Sequence, residues 1–284
     1  MAGYRVLDIE TVVDSRYWDR PQSKWTERPM GPLVQGGSVG GVLGPPVTSW
    51  FEEEPFPPPQ AHRVVAMAWV NLSGDDDKWY SLEDYRSDCG WGYGADADII
   101  EADMLRDFGE IQAGDAATLV TWNGRTFDLP VINLRSFLHR IPCKWYYEES
   151  DLRYRYTEAC HCDLMDVFSD YGAARSMKLG DVARLAGLPG KVGDVKGGNV
   201  GEIYSHYDPS RASLMAHMLK QWKTLADAQA AVGAYCLFDA LQTAILFARS
   251  RVHKGMISQD YYDSVVAPSF ADALSTTFQR VKEQ

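Results

Sequence analysis

The sequence predicts an α/β domain, a mixed sheet of five strands covered by helices, and three observations lead there. An apolar, β-branched run opens the chain, "YRVLDIETVV" at residues 4 to 13. Two more strand-like runs follow before the first helical periodicity. From residue 97 onward helical and strand patterns alternate, the order that builds a sheet with helices on its faces.

In the first run Val6, Leu7, Ile9, Val12 and Val13 are the strand formers. Residues 14 to 62 then contain "RPMGPLVQGGSVGGVLGPPV" and "EEEPFPPPQ", so dense in glycine and proline that no regular element is expected. This stretch reads as a surface insertion, or as a flap over a groove, because long loops in compact domains often serve as lids. It is no phosphate-binding loop, since no Gly-Lys-Ser/Thr follows. "RVVAMAWVNL" (63 to 72) is the second strand and "KWYSL" (78 to 82) the third, with "SGDDD" turning between them. Ile99, Ile100, Met104, Leu105, Phe108 and Ile111 recur at helical spacing across residues 97 to 112. "ATLVTW" (117 to 122) is the fourth strand, and "LPVINLRSFLHRI" (129 to 141) an amphipathic helix. "CHCDLMDVF" (160 to 168) is the fifth strand, and "KLGDVARLAGL" (178 to 188) a helix closed by Gly187. An Ala-rich helical pattern fills about 210 to 250, and 258 to 281 form a last helix or pair. Residues 1 to 250 are expected to be one domain, with 251 to 284 a helical extension packed on it.

Composition narrows the classes. The 284 residues are 45% hydrophobic and 24% charged, an ordinary globular balance. No run of about 18 apolar residues is evident, so no transmembrane helix is expected. The start reaches Asp8 without a basic segment followed by an apolar one, which argues against a secretory leader. Five cysteines without a CxxC pair suit free thiols in a reducing, cytoplasmic compartment. Cys160-His161-Cys162 lacks a second ligand pair and reads as strand rather than zinc site. A net charge of −11 argues against a protein that coats nucleic acid through a global basic field. It leaves room for an enzyme that grips a short segment, and suits carboxylates gathered to hold cations.

Asp8 and Glu10 raise the first chemical question. Their spacing of two puts both on one face of a strand, where they repel each other and resist burial. A second acid sits in "TWNGRTFDLP" (121 to 130), which leaves a strand, turns through Asn123-Gly124 and sets Asp128 at a helix start. Helix capping explains Asp128 alone. The Asn123 amide and an exposed Phe127 beside it fit ligand contact at the carboxyl end of a strand. The third group, "AYCLFDALQTA" (234 to 244), places Tyr235 and Asp239 four apart on one helix face, among Leu237, Phe238, Leu241, Ile245 and Leu246. Acids from strand, turn and helix can meet on Mg²⁺ or a similar cation. Two such ions about 3.5–4 Å apart clamp the attacking and leaving oxygens of a phosphoryl displacement.

"LDIET", "WNGRTFD" and "YCLFD", in this order, resemble the three exonuclease motifs of the DEDD superfamily of 3′–5′ exonucleases. More narrowly, the chain resembles the predicted 3′–5′ exonucleases related to the proofreading domain of family-B DNA polymerases. "HRVVAMAWV", "LVTWNGRTFDLPVINLR", "HCDLMDVFSDYGA" and "KLGDVARLAGLPGK" carry that likeness, which spans most of residues 4 to 11 and 62 to 250. The resemblance implies a ribonuclease H-like fold and two Mg²⁺ or Mn²⁺ ions. It implies the Tyr subtype, because Tyr235 stands four before Asp239. It further implies that Asp8 bridges both ions, that Glu10 and Asp239 hold the one activating water, and that Asp128 holds the other through water. Tyr235 would position the attacking water. Leu237 stands where the family's third motif carries an acid.

Thr11, Asn123, Phe127 and Lys191 are the candidate substrate contacts: Thr11 for the terminal sugar, Phe127 for stacking on a base, Lys191 with Lys196 for phosphate. Arg125 and Arg135 are further candidates, and the six histidines show no metal-site pairing. The expected activity is release of nucleoside 5′-monophosphates from single-stranded DNA 3′ ends, in a setting such as DNA repair. One alternative is a ribonuclease D-like exoribonuclease, since only contact to the 2′-hydroxyl separates RNA from DNA. The other is an inactive nucleic-acid-binding or scaffold subunit, against which the intact acidic set speaks. No membrane partner is expected.

Overall fold

A computed structural model describes residues 3–18, 24–30, 47–53, 56–73, 81–148, 150–189, 194–208 and 222–282. The expected five-stranded mixed sheet forms around the opening strand. β1 (Tyr4–Val13) pairs antiparallel with β4 (His62–Ser73) on one side and parallel with β6 (Thr118–Thr121) on the other. β5 (Ser81–Cys89) and β7 (His161–Asp163) add the edges, giving the order β5-β4-β1-β6-β7.

The alternation of β1 sorts its side chains between two cores. Leu7 and Ile9 pack with Val64, Met67 and Trp69 of β4 and with two helices, α1 (Ala95–Asp115) and α2 (Asp128–Leu138). Tyr4, Val6 and Val12 face the other way, into a core shared with the long C-terminal helices. Asp8 and Glu10, lying between Val6 and Val12, share that second face. Opposite them in the ladder stand Ala68 and Ala66, small residues that leave space over the acids. A register shift between Glu10 and Thr11 re-aims the strand as it leaves the acids.

Both ends of β1 are fastened by charge. At the start, Arg5 is buried and donates to Asp115 through two nitrogens, at 3.0 and 2.5 Å, and to Gln112 and Asn71, each at 2.9 Å. At the finish, Asp14 receives Arg16, Arg63 and Arg135 at 2.8, 3.2 and 3.1 Å. Arg135 on α2 also grips Glu101 of α1, which accepts from the Val64 amide and contacts His139. This network ties β1, β4, α1 and α2 into one unit.

Beyond the first two helices, α3 (Lys144–Glu148) leads toward β7, and α4 (Leu164–Phe168) follows it. α5 (Leu179–Leu185) ends at Gly187 in the left-handed region, φ +75°, as the sequence led us to expect, and α6 (Val200–His206) follows. The 29-residue α7 (Leu225–His253) begins in a capping box between Thr224 and Asp227. α8 (Gln259–Tyr261) passes through a π-helical turn (Tyr262–Val266) into α9 (Ala267–Lys282), whose Phe270 and Ala273 join the core around α7.

Three expectations are corrected. The third strand is Ser81–Cys89; only its first two residues overlap the expected 78 to 82, and 78 to 80 lie outside the described residues. Its "SLEDYRSDC" is a polar edge with no buried residue, hence without apolar signal. The fifth strand stops at Asp163, because that side chain caps α4 by accepting from the Met165 amide. The segment 14 to 62 is not devoid of regular structure: β2 (Lys24–Met30) and β3 (Val47–Glu53) form an antiparallel pair. Of the helical pattern read over about 210 to 250, Leu225–His253 is a helix, and 209 to 221 lie outside the described residues. By length and composition α7 could cross a membrane, but 94% of its apolar window is buried inside the protein, in keeping with the expectation of no transmembrane helix. It is a core helix.

Gly124 is sterically required. A Cβ on Gly124 would lie 2.5 Å from the Cβ and hydroxyl of Thr121, which is itself fully buried. Gly124→Ala is expected to cost about 1–3 kcal/mol, read as a lower midpoint in urea unfolding.

Candidate active site

β1 and α7 supply the centre. Carboxylate oxygens of Asp8, Glu10 and Asp239 lie within 4.8 Å of one another, one from each side chain. Glu10 and Asp239 are buried. Burial first, then the charges of Asp239, Asp128 and Glu10, push the Asp8 carboxyl well above its ordinary value, and a hydrogen bond from Cys236 opposes them only in part. Cys236 donates to the Asp8 carbonyl and carboxylate at 3.4 and 3.5 Å. Tyr235, far from solvated, is 1% exposed. Its hydroxyl accepts from the Gly197 amide at 3.3 Å and bonds to Asp239. Burial and the charges of Asp239, Glu10 and Asp8 keep it un-ionised.

Asp128 is the first residue of α2, and Phe127 occupies the cap position, so Asp128 is not the cap that sequence allowed. It stands outside the 4.8 Å group, yet its charge reaches Asp8. Burial pushes its carboxyl up to about 7; hydrogen bonds from its own amide and from Ile9 oppose this, and the charge of Asp163 adds to it.

A second acidic group, Asp98, Glu101 and His139, meets the same distance criterion. Its electrostatics run the other way. Hydrogen bonds from Arg16, outweighing burial, lower Asp98. Burial raises Glu101, but hydrogen bonds from His139 and Arg135 overcome it and leave that carboxyl lowered. These acids already have their cations in arginine. Around Asp8 the charges of neighbouring acids raise the carboxyl instead of lowering it, and such a set of oxygen donors fits a divalent ion.

The exit turn of β6 is shaped by side chains that sequence reasoning missed. Asp163 accepts from the amides of Asn123 and Arg125, both at 2.9 Å, and from Met165 at 3.0 Å. The signal was present as an Asp just before a helical run. Asn123 takes the left-handed conformation, φ +66°, which Asn tolerates, and its side-chain oxygen accepts from Thr126 at 2.5 Å. Phe127 is half-buried rather than exposed, packed on His62 and Phe56 with centroids 4.9 and 5.8 Å apart. Phe56 is the exposed ring of that group, at 74%.

His62 Nε2 lies 3.0 Å from the Pro57 carbonyl, which can only accept, so that nitrogen carries the proton. Nδ1 then accepts the Thr11 hydroxyl at 2.9 Å. Thr11 thus presents lone pairs alone to an incoming group. Lys191 lies outside the described residues, whereas Lys196 is exposed. Asn199 fastens the loop between them and α6 by accepting from the Lys196 amide and donating to the Asp194 carbonyl. A Cβ on Gly197 would come within 3.9 Å of Glu10. Arg125 is committed to Asp166 at 3.1 Å, and Arg135 is fully buried in its ion pairs, which removes both as phosphate contacts. Leu237 lies about 200° around α7 from Tyr235, where it lines a separate cavity of about 600 Å³ with Cys89, Gly233, Thr277 and Arg280.

Fold and site together define an α/β enzyme with a carboxylate centre suited to divalent cations. Residues 54–212, more than half of the chain, match the family described as "Predicted 3'-5' exonuclease related to the exonuclease domain of PolB", and the chain belongs to that family. The match contains Asn123, Phe127, Asp128 and Lys191. Asp8, Glu10, Tyr235 and Asp239 fall outside it, so their place in the centre rests on the geometry above. Among solved structures, the family B DNA polymerase from the hyperthermophilic archaeon Pyrobaculum calidifontis is similar, with a TM-score of 0.41 and 16% identity over 81% of this chain. The chain spans 29% of that polymerase chain. No curated protein matches it.

Proposed function

We propose that the protein is a two-metal 3′–5′ exonuclease that removes nucleoside 5′-monophosphates from single-stranded DNA ends in the cytoplasm, within repair or end trimming. The observation that carries this is the contrast between the two carboxylate groups: one is paired with arginines, whereas the other brings Asp8, Glu10 and Asp239 within 4.8 Å of one another, with the Asp8 and Asp128 carboxyls raised by burial and by neighbouring acids. Asp8, Glu10 and Asp239 are the metal ligands, with Asp128 one step further out. Divalent ions held there would polarise the scissile phosphate and lower the pKa of the attacking water. Tyr235, held neutral between Gly197 and Asp239, orients that water. Thr11 accepts from the terminal hydroxyl of the strand. Asn123, Phe127 and the 191–196 lysines are the remaining substrate contacts. Residues 1 to 250 carry this chemistry and 251 to 284 buttress it.

The deciding experiment incubates purified protein with 5′-labelled single- and double-stranded DNA and RNA, in Mg²⁺, Mn²⁺ or EDTA. Stepwise shortening of single-stranded DNA from its 3′ end, abolished by EDTA, is expected. Faster shortening of RNA would transfer the assignment to an exoribonuclease, and binding without cleavage would point to an inactive subunit.

Metal binding also has a predictable pH dependence. Asp128 titrates near 7 in the fold against an ordinary 3.8. For a raised acid, stability is unaffected below the ordinary value and falls as pH rises toward the folded one. The metal-free protein therefore loses stability across this window on account of Asp128 and Asp8. Mg²⁺ offsets that loss, so its thermal shift is expected to be larger at pH 8 than at pH 6. Equal shifts at both pH values would contradict ligation by these carboxyls.

A further inference from the structure

Away from the acids, the surface between α3 and α4 carries aromatic rings that the proposed chemistry does not use. The sequence there reads "WYYEESDLRYRYTE" at residues 145 to 158. Tyr147, Tyr154 and Tyr156 are 55%, 57% and 64% exposed. Rings of this size are normally put to use where apolar body and polar tip both find partners, and three so exposed in ten residues ask for an occupant.

The rings are already ordered against one another. Tyr154 and Tyr156 lie 5.9 Å apart between centroids, Tyr156 and Tyr171 5.4 Å, and Tyr146 and Tyr147 5.1 Å. The Arg153 guanidinium sits over Tyr147 at 5.3 Å and over Tyr146 at 5.9 Å. The segment is also fastened to the candidate active site. Buried Asp166 holds Arg125 on one oxygen, at 3.1 Å, and Arg155 on the other, at 2.5 Å. Arg125 further donates to the Leu152 carbonyl at 3.2 Å. Arg125 belongs to the same turn that presents Asn123 and delivers Asp128, so the aromatic segment is tied directly to the turn at the edge of the site.

We propose that Tyr147, Tyr154, Tyr156 and Tyr171, with Arg153, form the stacking track for the unpaired strand whose 3′ end enters the acid centre. This rests on the exonuclease reading above. Every base has a π-face, so such a platform holds a strand without regard to sequence. Net charge contributes little: exposed Glu148 and Asp151 offset Arg153 and Arg155 in the same segment, and the chain carries −11 overall. Affinity therefore comes from stacking and depends only weakly on salt.

The test measures fluorescence anisotropy of labelled 12-nucleotide oligothymidylate in EDTA, where turnover is blocked. Wild type is compared with the Y154A/Y156A and Y154F/Y156F pairs. A parallel assay follows hydrolysis of the p-nitrophenyl ester of thymidine 5′-phosphate, too short to reach the track. The alanine pair is expected to weaken oligonucleotide binding about tenfold or more, and the phenylalanine pair to keep it. Ester hydrolysis should be the same in all three proteins. Undiminished binding by the alanine pair overturns the track, including the case in which that pair alters only self-association and so marks a protein interface. Loss of binding in the alanine pair with no ester hydrolysis by any protein would uphold the track and refute the chemistry.

Discussion

Asp8→Asn is expected to reduce 3′-end hydrolysis about 10³-fold or more, while raising the melting temperature in metal-free buffer. Asp8 is the acid on which the charges of Asp239, Asp128 and Glu10 converge, so its ionised form is costly to bury without a cation. Asparagine keeps the shape and removes the charge. Without metal, the remaining acids lose a repulsive neighbour, and relief of about 1 kcal/mol would raise the midpoint by roughly 2 °C or more. With Mg²⁺, the wild type should gain more than the variant, because the variant lacks a ligand. Single-turnover cleavage and thermal scans with EDTA or Mg²⁺ read both effects. Retained cleavage would remove Asp8 from the centre, and a lower midpoint in EDTA would refute the repulsion argument.

Arg135→Met should be the most damaging change to the fold, at about 3–5 kcal/mol. Arg135 is fully buried and bonds to Glu101 at 2.7 and 2.5 Å and to Asp14 at 3.1 Å. Methionine fills much of the volume but leaves two buried carboxylates short of their shared cation. Burial pushes the Asp14 carboxyl up, yet hydrogen bonds from Arg16 and the charges of Arg63 and Arg135 hold it well below the usual carboxylate range. Depressed acids stabilise the fold above the ordinary carboxylate value, and that stabilisation fades as pH falls through the folded one. The variant's deficit should therefore be largest near pH 7 and shrink toward pH 4, where protonation spares the stranded acids. Urea midpoints across that range check it, and a deficit independent of pH would assign the loss to packing alone.

The parts of this molecule legible in sequence are those written in local pattern. β1, β4 and β6 are apolar runs whose periodicity survives burial on both faces. The acids of the centre were legible because a spacing of two on a strand and of four on a helix fixes a common face in each element. β5 was displaced because an exposed edge has no apolar run to find. The pairing of β2 with β3 was missed because glycine and proline outweighed weaker strand preferences. The Arg5 and Arg135 networks and the Gly197 contact to Tyr235 join residues from 34 to 121 positions apart, which no local window reports. Phe127 was taken as exposed because nothing nearby in the chain announced that His62 and Phe56 would pack against it.

Both tips of the opening strand are pinned, by Arg5 at one and Asp14 at the other. A ribbon held at its two ends cannot shed internal tension by peeling away. The mutual push of the acids midway along it is thus retained within the strand, whose amides should exchange hydrogen slowly.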